Sequence, residues 1–119
     1  MLDLVYYTKN SSISLSVSDM IYEKLANVGL DKVVKYLNYR IKIDDEEYEI
    51  NAAKLNSKNR GKFLHLLDEE KQKELEKIFY LMDNSPTIKE FREISGYLKI
   101  LTKLYKMFKD KNNIYFSYE

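Results

Sequence analysis

The chain has 119 residues, 20 basic and 19 acidic side chains for a net charge of +1, and no cysteine or tryptophan. Without cysteine there are no disulfides, thiolate nucleophiles or zinc–thiolate sites, and one histidine, His65, leaves little for metal binding. So even a charge argues against a protein whose main business is coating nucleic acid. The length suits one domain, 1–119. No apolar run reaches membrane-spanning length and no secretion signal opens the chain, so the expectation is a cytoplasmic protein without a membrane partner. Abundant Lys, Asn, Ile and Tyr fits an AT-rich bacterial or phage genome.

Residues 2–8 alternate Leu2, Leu4, Tyr6 with Asp3, Val5, Tyr7 and read as a strand. The segment Lys9-Asn10-Ser11-Ser12 is turn material. Ile13, Leu15 and Val17 then alternate with Ser12, Ser14 and Ser16, a half-buried strand that makes a hairpin with the first and turns its serines to solvent. Ser18 or Asp19 caps a helix carrying Met20, Ile21, Leu25 and Val28, and Gly29 ends it. Asp31 caps a second short helix with Val33, Val34 and Leu37, either separate or a bent continuation. Ile41, Ile43, Tyr48 and Ile50 flank Asp44-Asp45-Glu46-Glu47, a hairpin with an acidic tip.

Residues 51–62 contain Lys54, Lys58, Arg60 and Lys62, and Asn56, Ser57, Asn59 and Gly61 make the second half a loop. Asp68 opens a helix running through Met82, with Leu75, Ile78, Phe79 and Met82 on its buried side. The break Asn84-Ser85-Pro86 leads into the strongest periodic signal in the chain, residues 87–110. There Phe91, Ile94, Leu98, Leu101, Tyr105 and Phe108 form one apolar row, widened by Tyr97, Ile100, Leu104 and Met107. Its cap is Thr87 with Glu90 three residues on, or Ser85 with Pro86 at the first helical position. Ile114, Phe116 and Tyr118 alternate in a final strand that joins the N-terminal hairpin. The predicted architecture is α+β: a small antiparallel sheet from the terminal strands with about four helices packed on it.

Two patterns bear on chemistry. Arg60 and His65 have the Arg-x4-His spacing of HEPN-type ribonucleases, in which a guanidinium steadies a phosphate and an imidazole moves the proton. Those families place a polar residue after the arginine, where this chain has Gly61, and they are all-helical. The acidic run fails the nuclease pattern Glu-x-Lys, because Glu49 stands two residues after Glu47 and Asn51 two after Glu49. It also lacks the turn glycine of a calcium loop. Asp44, Asp45, Glu46, Glu47, Tyr48 and Glu49 instead suit contact with a basic partner. Lys54, Lys58, Arg60 and Lys62 offer a phosphate contact without interleaved aromatics. Of eleven tyrosines, Tyr6, Tyr22, Tyr36, Tyr39, Tyr97 and Tyr105 fit a core, and Tyr7, Tyr48, Tyr115 and Tyr118 fit exposed rings.

In layout the chain resembles small bacterial immunity proteins, including those of contact-dependent growth-inhibition systems. The likeness lies in the terminal strands, helical middle, acidic hairpin and closing Ile114-Tyr115-Phe116-Ser117-Tyr118. It implies a non-enzymatic inhibitor that binds a cognate toxin, commonly a nuclease, with no cofactor, metal or small-molecule substrate. The alternatives are a phage-encoded inhibitor of a host or defence protein and a ribonuclease acting through Arg60 and His65.

Overall fold

The computed structural model describes residues 2–84 and 87–118. In chain order these form β1 (Leu2–Tyr7), β2 (Ser12–Val17), α1 (Asp19–Val28), β3 (Leu37–Ile43), β4 (Glu46–Lys54), α2 (Ser57–Asp83), α3 (Ile88–Lys109) and β5 (Tyr115–Tyr118). The strands make one sheet in the order β2-β1-β5-β4-β3, antiparallel at every join. The architecture is α+β, as the patterning predicts, with three helices among the described residues.

The missing helix is the one expected to start at Asp31. Gly29 takes the left-handed conformation (φ 92°), and its N–H and that of Leu30 close on the carbonyls of Ala26 and Leu25. The chain then turns so that Leu30 and Val34 drop into the core, and Tyr36 donates to the Leu30 carbonyl at 2.8 Å. The second departure is the start of α2, eleven residues before Asp68. Asn56 caps it, its side chain accepting the Asn59 N–H at 2.8 Å, so Lys58, Arg60 and Lys62 lie on the first turns of a helix. At α3 the Thr87 register holds. Its Oγ1 accepts the Glu90 N–H at 3.1 Å and its hydroxyl donates to the Glu90 carboxylate at 3.0 Å. The alternative cap, Ser85 with Pro86, lies outside the described residues.

One face of the sheet carries the core. Leu4, Tyr6, Val17, Ala53 and Phe116 meet Leu25 of α1, Phe63 and Leu67 of α2, and Tyr97, Leu101, Leu104 and Phe108 of α3. Phe63 stacks on Phe108 with centroids 4.3 Å apart, and Phe116 and Tyr6 close on the pair edgewise or tilted. The buried line on α3 therefore runs between the two apolar rows of the sequence. On α2 the line is Phe63, Leu67, Glu70 and Glu74, whereas Phe79 and Met82, expected inside, keep 65% and 64% of their surface.

A helix of 27 residues extends about 40 Å, more than this sheet can cover. The far ends of α2 and α3 consequently project. The molecule measures 55 × 28 × 21 Å, with a radius of gyration of 15.8 Å, against about 13.5 Å for a compact chain of this length. Among the described residues no helix is long and apolar enough to cross a membrane.

Candidate functional site

The six predicted contact residues lie together, at the turn and first half of β4. Asp44 and Asp45 both have positive φ (51° and 65°), the backbone of a two-residue type I′ turn that matches the twist of the flanking strands. Aspartate tolerates this conformation better than most side chains. All of residues 44–49 are exposed.

The register divides them. Directly opposed residues share a face of a ladder, and Lys42 faces Glu47 while Arg40 faces Glu49. Those two carboxylates are each set against a base. Glu46 faces Ile43 and Tyr48 faces Ile41, so Glu46 has no basic residue opposite it. With the turn residues, Asp44, Asp45 and Glu46 form the part of the arm that cross-strand charges leave uncompensated. The Tyr48 hydroxyl donates to the Glu46 carboxylate at 2.6 Å, a bond that raises its pKa, and the Glu46 charge adds to the rise. A cleft of about 400 Å³ between Tyr7, Ser12, Ile43, Tyr48, Glu49 and Ile50 separates the arm from the β1–β2 hairpin. The turn itself lies near Lys9 and Asn10, beside a second cleft that also takes in Lys42.

Arg60 and His65 are not brought together. The Arg60 guanidinium is half-buried and spent on backbone. Nη1 donates to the carbonyls of Phe108 and Asp110, and Nη2 to those of Leu55 and Asn113 at 2.9 Å each. This ties the last turn of α3 to the starts of α2 and β5. His65 stands one and a half turns on, its side chain 76% exposed, with Nε2 3.0 Å from the Glu69 carboxylate. Lys54, Lys58 and Lys62 are exposed. Among the described residues no three carboxylate or imidazole groups gather as a metal ion would need.

Two features escaped the sequence reading. The end of the α2–α3 hairpin exposes Phe79, Tyr80, Met82, Ile88 and Phe91, between 44% and 72% of each surface. A groove of about 570 Å³ runs there between Lys73, Lys77 and Tyr80 on α2 and Glu90, Glu93 and Ile94 on α3. Tyr80, absent from the expected exposed rings, is the most open tyrosine at 69%; Tyr7, Tyr115 and Tyr118 are half-buried, and of that set Tyr48 stands out at 46%. The second feature is a small cleft of about 160 Å³ bounded by Asp31, Tyr36, Asn51 and Tyr118, where Asp31 Oδ1 has no hydrogen-bond partner among the described residues. Burial above all raises the pKa of Tyr36 and Tyr118, with the nearby Asp31 charge adding to both.

No family model, curated protein or solved structure matches the chain.

Proposed function

We propose that the chain is a non-enzymatic binding protein that neutralises a bacterial toxin, in the manner of an immunity protein, by presenting the β3–β4 arm to a basic cleft such as a nuclease uses for its substrate. The observation that supports this reading is the grouping of Asp44, Asp45 and Glu46, exposed at a two-residue type I′ turn and unmatched by any cross-strand base. Carboxylates so placed steer encounter and select a positive partner. A two-residue turn has less freedom to lose on docking than a long loop would. Tyr48, braced by its bond to Glu46, supplies a ring of fixed orientation beside the charges.

The test begins with the protein encoded beside this one. Co-expression should rescue growth from a toxic neighbour, and the purified pair should associate at micromolar concentration. Replacing Asp44, Asp45 and Glu46 together by lysine should slow association by about one to three decades and flatten its salt dependence. Binding unchanged by that reversal would remove the arm from the interface. A neighbour that neither kills nor binds would remove the reading.

A further inference from the structure

β2 is an outer strand of the sheet, and its free edge is unguarded. From Asn10 to Ser18 there is no Lys, Arg, Asp, Glu or Pro, the residues that ordinarily keep an edge from pairing. β3, at the opposite edge, has Arg40 and Lys42. Ser12, Ser14 and Ser16 are exposed, and Ile13 keeps 49% of its surface.

Hydrogen bonding fixes which groups look outward. The Tyr7 carbonyl accepts the Ile114 N–H at 2.7 Å, so it turns toward β5 and away from Ser12, its partner in β2. Alternation along the ladder then directs the N–H and C=O groups of Ser12, Ser14 and Ser16 out of the sheet edge. Ile13 and Leu15 lie opposite Tyr6 and Leu4, on the face the helices cover.

We propose that this edge pairs with the same edge of a second copy, antiparallel about a twofold axis at Ser14, making one sheet continuous across both chains. An isologous contact requires a self-complementary surface, and this edge is one. With Ser14 on the axis, Ser12 meets Ser16 and Ile13 meets Leu15, so every outward backbone group is paired and apolar side chains meet on one face. A slip of one residue would set serines against Ile13 and Leu15. A slip of two would leave a serine at the strand's end outside the ladder. Just past the strand ends lie Lys9, in the hairpin turn, and Asp19, the first residue of α1; they are the nearest charged residues to the two ends of the edge, and antiparallel pairing brings these unlike ends of the two copies together. Met20, 48% exposed on the first turn of α1, flanks the seam. None of this depends on the role of the β3–β4 arm.

Because the chain has no cysteine, single thiols read the register directly. Residues paired across the axis stand about 5.5 Å apart at Cα, within disulfide reach. Oxidised Ser14→Cys should run as a linked dimer, Ser16→Cys as a single chain, and a mixture of Ser12→Cys with Ser16→Cys should cross-link. In sedimentation the unaltered chain should rise with concentration from 14.2 kDa toward twice that mass. Ser14→Pro should hold it at the single-chain mass with unchanged circular dichroism, since an edge strand tolerates the lost N–H. Ser14→Lys, which sets like charges across the axis, should do the same and covers the case in which proline disturbs the hairpin. A single-chain mass up to millimolar concentration, equal cross-linking at 14 and 16, or a chain that pairs this edge only with a different protein would each overturn the proposal.

Discussion

The two ends of the α2–α3 hairpin carry the same apolar periodicity and meet opposite fates. Near the sheet, Phe63 and Leu67 on α2 and Leu101, Leu104 and Phe108 on α3 are essentially sealed from water. At the far end Phe79, Met82, Ile88 and Phe91 continue the apolar content into solvent. Between them sit Glu70 and Glu74, buried carboxylates beside Tyr97, whose hydroxyl lies 3.3 Å from Glu70. Lys77 reaches Glu74 at 3.0 Å. Helical spacing states which side of a helix is greasy. Whether anything lies there to cover it is decided by the sheet.

That contrast is most sharply broken at Phe63. Phe63→Ala empties the stack on Phe108 and should cost about 3–5 kcal/mol in urea unfolding, whereas Phe79→Ala should stay within about 0.5 kcal/mol. Equal losses would mean that the projecting end is packed in solution. Arg60 supports the sealed end from its rim. Arg60→Ala strands four carbonyls and should cost about 2–4 kcal/mol, with Arg60→Lys recovering little because an ammonium cannot fork to four acceptors.

Alkali should attack the buried tyrosines first. Burial is the main cause that lifts the pKa of Tyr6, Tyr36, Tyr97 and Tyr118. The folded state thus holds these protons more tightly than the unfolded chain, so the stabilisation is complete below about pH 10 and drains away as pH rises beyond it. Ultraviolet titration should show the late tyrosines ionising together with unfolding; a smooth titration of all eleven would contradict the burial. A small gain is available on the hairpin's exposed surface. Gly96 is helical, exposed and open to an added Cβ, so Gly96→Ala should gain about 0.5–1 kcal/mol.

Much of this was legible in the residues. Strict alternation at Ile13, Leu15 and Val17, the stop at Gly29, the Thr87–Glu90 box and the acidic hairpin are local signals, and local chemistry decides them. The start of α2 was not. Asn56-Ser57-Lys58-Asn59-Arg60-Gly61 is polar and rich in turn formers, and it is helical because Arg60 is anchored by carbonyls about fifty positions away. Phe79 and Met82 looked like core for want of any sign that the sheet stops short of them. At the candidate site the cluster was visible, but its division was not. That Glu47 and Glu49 face Lys42 and Arg40 follows from a two-residue turn, and one more residue in the loop would have paired them differently.

β5, the last strand in chain order, lies in the middle of the sheet between β1 and β4. During synthesis the two hairpins have no common neighbour until Phe116 emerges, so their inner edges stay open while α2 and α3 are made. Docking of that segment, with its long sequence separation from β1, is the step expected to set the folding rate. Nascent chains halted just short of it should be the ones that chaperones retain.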